Sequence, residues 1–263
     1  MRRDVALVTG ASRGLGREIA RALARRGVEP AVTARDAGEL ATLADELAAA
    51  GAPRPIIVAL DLAAPDAPAQ LAARLDAEGA RLTALVNNAG YGLVGEAATL
   101  DRPAQLGMID LNIRALTDLT LHMLPRLIAT RGRILNVASV AGFAPGPGMA
   151  VYYASKAYVI SFGDALGAEL AAEGVSVTTL CPGPLDTPFW SRAGAAPGPM
   201  RRLASLDVAA VAEAGVAGMF AGRRRVTPGA LNALAAGLAP CAPRAMTLAI
   251  ARRMNAARRR AAP

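Results

Sequence analysis

Tyr152 and Lys156 stand four residues apart in a stretch with helical periodicity, 152–173, so a phenol and an amine share one helix face. A phenol with a pKa of about 10 is a poor base at neutral pH. A neighbouring ammonium favours the phenolate and brings it toward the range that general acid–base work requires. Lys156 is the only lysine; the other 28 basic residues are arginine, which suggests that position 156 needs an amine. Tyr153 and Tyr158 share the helix but lack a lysine four residues on. The plainer alternative is a packed, snorkelling pair. Ser139 closes the apolar run 132–138 and can donate a hydrogen bond to an oxygen held nearby.

These groups are useful only if the chain carries them to one place. Asp4 to Gly10 reads as a short apolar strand buried on both faces. Residues 14–27 follow with Leu15, Ile19, Ala20, Leu23 and Ala24 at helical spacing, closed by Gly27. The pair then recurs. Further strands are expected at 28–34, 56–60, 82–87, 132–138 and 175–181, with a weaker one near 224–227. Helices are expected at 37–50, 65–78, 101–129, 152–173 and 207–221. Pro30 belongs at the first residues of its strand, where no ladder donor is needed. Such alternation predicts an α/β fold: a Rossmann-like, doubly wound sheet of about seven mainly parallel strands with helices on both faces. Ligands of such sheets bind beyond the carboxyl ends of the strands.

The first strand leads into the helix through Thr9-Gly10-Ala11-Ser12-Arg13-Gly14-Leu15-Gly16. Gly10 can take backbone angles closed to other residues, and Gly14 and Gly16 let the helix start approach a phosphate. The unpaired amides and the helix dipole there suit the pyrophosphate of a dinucleotide, although a tight turn alone would also need glycine. The second strand ends Ala34-Arg35. A carboxylate near this point would hold a ribose 2′-hydroxyl, whereas arginine accommodates a 2′-phosphate. Arg13 and Arg35 offer two guanidinium groups for that phosphate, so NADP(H) is expected over NAD(H). Asp36 could instead pair with Arg35, and both arginines could simply be surface residues.

Taken together, residues 4–190 resemble the short-chain dehydrogenase/reductase family, with each motif in its expected order. The glycine motif is Thr9 to Gly16, and the adenine-side Asp61-Leu62 follows the third strand. Asn87-Asn88-Ala89-Gly90 follows the fourth. Asn112, Ser139, Tyr152 and Lys156 match the catalytic set, and Pro182-Gly183 with Leu185 and Thr187 match the segment at the nicotinamide. The stretch from Gly132 to Thr187 resembles a bacterial branch that is itself similar to 17β-hydroxysteroid dehydrogenases and long-chain 3-ketoacyl-CoA reductases. The resemblance implies reduction of a ketone or aldehyde, or oxidation of the matching secondary alcohol, with Tyr152 as general acid/base. It further implies that Lys156 holds the nicotinamide ribose and that Asn112 holds a water linking Lys156 to solvent. A homodimer or homotetramer is implied as well. A catalytically idle NADP-binding regulatory or scaffold protein is the alternative, disfavoured because a binding module needs no such acid.

Composition narrows the rest. With two cysteines, Cys181 and Cys241, and one histidine, His122, a Cys/His zinc site lacks ligands, and no metal is expected. His122 has no nucleophile or acid beside it and reads as structural; Cys181 reads as a small core residue. Met1 to Asp4 lead directly into a strand pattern, so no signal peptide is expected and cytoplasmic location is the default. The net charge of +8 is concentrated at one end: residues 201–263 hold eleven basic and two acidic groups. The chain is expected to form one domain over 1–240, with a substrate lid near 184–206, and a basic helical extension over 241–263. Phe189 and Trp190 are candidate pocket walls or lid anchors for an apolar substrate. Within 244–260, Met246, Ala249, Ile250, Met254 and Ala257 fall on one stripe beside Arg252, Arg253 and Arg258 to Arg260. Such a helix can touch an anionic membrane surface, another subunit or only solvent. A membrane-associated lipid or 3-ketoacyl reductase is therefore a further alternative. No aromatic residues accompany the charge, so nucleic acid is not an expected partner.

Overall fold

The computed structural model describes residues 3–195 and 206–260. Part of the expected lid, 196–205, lies outside the described residues, as do the side chains of Ala257 and Arg258 to Arg260. Seven strands form one sheet: β1 (Arg3–Thr9), β2 (Glu29–Ala34), β3 (Ile56–Ala59), β4 (Ala80–Asn87), β5 (Arg133–Val137), β6 (Ser176–Leu180) and β7 (Arg225–Val226). Their order is β3-β2-β1-β4-β5-β6-β7, and every pairing is parallel. The expected α/β architecture is what the chain adopts. The strand anticipated weakly at 224–227 is the edge strand β7. Pro30 pairs only with β1, through Ala6, because pairing with β3 begins one residue later at Ala31.

The apolar strands are explained by the layers around them. Ala6 and Val8 of β1 face α1 (Gly14–Arg25), α2 (Ala37–Ala49) and α8 (Val208–Phe220). Val5 and Leu7 face α3 (Ala67–Ala77), α5 (Leu116–Thr130) and α6 (Ala150–Glu169) on the other side. With both faces covered, a strand needs no polar alternation. Each buried Leu or Ile in these layers contributes about 1.5–3 kcal/mol. The remaining α-helices among the described residues are α4 (Arg102–Ile109), α7 (Phe189–Arg192), α9 (Ala230–Leu238) and α10 (Arg244–Arg260).

One expected element is divided. The helical pattern over 101–129 resolves into α4, a π turn at Asp110–Ala115, and α5. The sheet order reverses between β1 and β4, since β2 and β3 lie on one side of them and β5 to β7 on the other. Such a switch point opens a crevice at the carboxyl ends of the strands.

Candidate active site

Three groups of loops meet at that crevice. Thr9, the last residue of β1, ties β1 to the loop after β4: its Oγ1 donates to Val86 O (3.1 Å) and accepts from the amides of Asn88 (2.9 Å) and Ala89 (3.0 Å). Asn88 returns the contact, donating from Nδ2 to Thr9 O at 2.9 Å and Gly10 O at 3.2 Å. This explains two glycines. A Cβ on Gly16 would overlap the Asn88 amide and the Gly10 carbonyl, and one on Gly10 would lie 2.9 Å from Ala89 Cα. Gly16 is therefore required by the neighbouring loop, a reason the sequence alone did not reveal. Gly14, at φ +57°, would place a Cβ 3.3 Å from Thr187, so the segment after β6 closes on the same turn.

Helix α1 opens at this turn with neither a capping side chain nor an acidic residue in its first turn. Its amides and positive dipole end suit a diphosphate. Arg13 faces Asp36 at 3.5 Å and Glu39 at 3.0 Å, so two carboxylates already engage its guanidinium. Asp36 also caps α2, accepting from Glu39 N at 3.1 Å. Arg35 is exposed and makes no ion pair among the described residues, and its charge is felt at the Tyr91 hydroxyl. Asp61 is exposed, with Oδ1 accepting from Ala63 N at 3.0 Å, and Leu62 beside it is buried.

Beyond the switch point, α6 carries Tyr152 and Lys156. The Lys156 Nζ lies 5.9 Å from the centre of the Tyr152 ring and donates to Val137 O at 2.8 Å. Lys156 is buried, and that desolvation pushes its pKa down to about 8. Burial raises the Cys181 thiol to about 12, which leaves it protonated and inert. Ser139, at the end of β5, is buried and caps the turn Val140–Phe143 by accepting from Ala141 N at 3.1 Å. Asn112 sits in the π turn, a place where such turns recur at functional sites. Its amide pairs both ways with the Tyr91 backbone, Tyr91 N donating to Oδ1 (3.1 Å) and Nδ2 donating to Tyr91 O (2.9 Å). Nδ2 also reaches Ser155 Oγ at 3.1 Å, and Ser155 Oγ donates to Tyr152 O at 2.7 Å. The Asn112 side chain thus fastens the loop after β4 to α6.

The other tyrosines are held elsewhere. Tyr153 is buried, its ring filling the space above Gly146, and Tyr158 shares a hydrogen bond with Thr117 and stacks on Phe162. His122 is exposed.

The apolar side of the site comes from the segment after β6. Phe189 lies 5.4 Å from Tyr152 between ring centres, and both rings crowd Gly92, whose Cβ would meet Phe189 at 2.7 Å and Tyr152 at 3.0 Å. Gly92 is thus a site residue that no motif indicated. Trp190 is buried and anchors the segment, its Nε1 donating to Leu185 O at 2.9 Å. Backbone bonds from Val94 N to Ala193 O and from Gly95 N to Gly148 O, both 2.9 Å, weave the three loops together. Tyr152 borders a small depression lined by Leu93, Leu100, Met108 and Met149.

A parallel doubly wound sheet, with a phosphate-suited turn and a Tyr–Lys pair across its switch point, defines a class of dinucleotide-linked oxidoreductases. Residues 4–198 match the short chain dehydrogenase family, and the chain belongs to it. An uncharacterized oxidoreductase of Myxococcus xanthus is 41% identical over 180 residues, 68% of this chain and 70% of that protein. A probable oxidoreductase, EphD, of Mycobacterium bovis is 39% identical over 184 residues, but these are only 31% of that longer protein. Among solved structures, a short-chain dehydrogenase from Sphingobium yanoikuyae in complex with NADPH superposes with a TM-score of 0.79 at 31% identity, covering 92% of this chain and 97% of the other. A short chain dehydrogenase/reductase from Burkholderia phymatum in complex with NAD gives 0.79 at 27% identity, covering 90% and 92%. The chain is an oxidoreductase of this type, and its structural neighbours bind nicotinamide cofactors.

Proposed function

We propose that this protein is an NADP(H)-dependent reductase of a ketone or aldehyde with an apolar body, also able to oxidise the matching secondary alcohol. The observation carrying this reading is the Tyr152–Lys156 pair, with Lys156 tied to Val137 at the end of the strand that leads to Ser139 and Tyr152 bordering an apolar depression. The cofactor fits the residues present: Gly10, Ser12, Gly14, Leu15 and Gly16 would hold its diphosphate and Arg35 the 2′-phosphate, with Arg13, expected beside Arg35 at that phosphate, joining it only by leaving Asp36 and Glu39. Asp61, Leu62, Asn88, Ala89 and Gly90 would flank the adenosine, and Pro182, Gly183, Leu185 and Thr187 the nicotinamide.

When bound, the nicotinamide supplies the hydride that reaches the carbonyl carbon. Tyr152 donates the proton that the carbonyl oxygen needs, and Ser139 orients that oxygen by a hydrogen bond. Lys156, positively charged at neutral pH, favours the phenolate left behind and so tunes the acid. Asn112 positions α6 through Ser155 and the Tyr91 backbone, and by family likeness lies on the route that returns a proton through water. Phe189 forms an apolar wall, and Trp190 holds the segment carrying it. The preference for NADP(H) is supported by Arg35, which is not committed to a carboxylate, and by Asp36, which is spent on capping α2.

The test is a screen of NADPH oxidation against ketones, aldehydes and 3-ketoacyl thioesters, repeated with NADH and with Arg35→Ala. The expected result is turnover favouring NADPH, with Arg35→Ala weakening NADPH binding by at least about tenfold and leaving NADH nearly unchanged, as loss of a charge-assisted phosphate contact requires. Tighter binding of NADH, with both affinities unmoved by Arg35→Ala, would contradict the cofactor assignment.

A further inference from the structure

Helices α9 and α10 are built inside out. In α9 the buried positions are Asn232 and Ala236, while Leu231, Leu234 and Leu238 are 66%, 59% and 58% exposed. In α10, Ala251 and Asn255 are buried, and Met246 and Ile250 are 49% and 51% exposed. An ordinary surface helix does the reverse, turning its apolar stripe to the core. Of the eleven large apolar side chains exposed among the described residues, six lie between Leu231 and Ile250.

The orientation is fixed by specific contacts. Asn232 Nδ2 donates to Pro228 O at 3.0 Å, and its amide fills the space above Gly183. Asn255 Nδ2 donates to Pro147 O at 2.9 Å. Asn232 thus seats α9 against Gly183 and Asn255 ties α10 to the loop at Pro147, leaving the leucine or methionine face outward.

Charge selects what covers that face. From residue 214 to 263 the sequence holds nine arginines and no aspartate or glutamate. Three of these, Arg244, Arg252 and Arg253, stand exposed on α10, and a second copy docked on that helix about a two-fold axis would offer them no carboxylate from the same helix. A bilayer with acidic headgroups offers hydrocarbon to the leucines and phosphates to the guanidinium groups. We propose that α9 and α10 together dock this protein on the surface of a membrane rich in anionic lipid. The contact is peripheral; no helix among the described residues is long and apolar enough to cross a membrane.

Sedimentation of the full chain with phosphatidylglycerol–phosphatidylcholine vesicles, against phosphatidylcholine alone, tests the proposal without reference to activity. The expected result is binding to the anionic vesicles that weakens at least about tenfold on neutral vesicles or in molar salt, where charges are screened within about 3 Å. The triple variant Leu231→Ser, Leu234→Ser, Leu238→Ser should lose binding to a similar degree with its melting temperature kept. The double variant Arg252→Gln, Arg253→Gln, at exposed positions, serves as an independent arm should the leucine variant misfold. Protein that stays in the supernatant with anionic vesicles overturns the proposal, as does binding that both variants leave unchanged. A leucine variant that shrinks the oligomer in light scattering, without vesicle binding by the parent, overturns it in favour of a subunit contact.

Discussion

Burial of the Lys156 ammonium works against folding. In the fold its pKa is about 8, against 10.5 for an ordinary lysine, so the folded state binds this proton less tightly than the unfolded chain. The penalty is full below about pH 8, about 3 kcal/mol, and disappears as pH rises through about 10.5. Its hydrogen bond to Val137 O returns roughly 1 kcal/mol. Lys156→Met, which removes the charge and keeps the volume, is therefore expected to be roughly 1–3 kcal/mol more stable than the parent at pH 7. That advantage should narrow by about 2 kcal/mol at pH 9.5. Urea unfolding at the two pH values measures both, and a variant less stable than the parent at pH 7 would contradict the account. A fold that keeps its single lysine where it is destabilising is consistent with a site selected for chemistry over stability.

At the scale of elements, the π turn at Asp110–Ala115 is tied to the loop after β4 and to α6 by Asn112. Asn112 satisfies both polar groups of the Tyr91 backbone and reaches Ser155, so Asn112→Ala strips two part-buried backbone groups of their partner and removes one of the two bonds of the buried Ser155 hydroxyl. At about 1–3 kcal/mol for each orphaned group, partly offset by water, a loss of about 2–4 kcal/mol is expected in denaturant unfolding. A loss below about 0.5 kcal/mol would mean that Asn112 does not anchor the turn.

The sequence showed why this region is helical but not where it deviates. Periodicity is blind to one extra residue in a turn, and the bond that stabilises the deviation spans 21 residues. The same distinction runs through the site. The strands were legible because burial on both faces leaves continuous apolar runs, and Tyr152 with Lys156 because i and i+4 share a face. Gly16 was legible as part of the phosphate turn but not its second reason, which comes from Asn88 on another strand's loop; Gly92, which makes room for the Tyr152 and Phe189 rings, was not legible at all. Helix α9 was missed because its buried residues are Asn232 and Ala236, the reverse of the pattern that marks an amphipathic helix.

At the scale of the whole molecule, the all-parallel sheet brings distant motifs together. Every strand that carries part of the site ends at the same edge, and the reversal between β1 and β4 parts the loops there. The phosphate-suited turn, Arg35 and Asp61 therefore fall on one side of the crevice, and Ser139, Tyr152, Lys156 and Thr187 are gathered from the other. The central claim is that this arrangement delivers a proton from Tyr152 to a carbonyl oxygen. It is tested most directly by the turnover number of Tyr152→Phe with NADPH and a carbonyl substrate from the screen, with NADPH affinity measured in parallel. The expected result is a fall in kcat of about 10²–10⁴ with NADPH affinity changed by no more than about twofold, the signature of losing a general acid alone. A variant that binds NADPH and turns over within about threefold of the parent would contradict the mechanism.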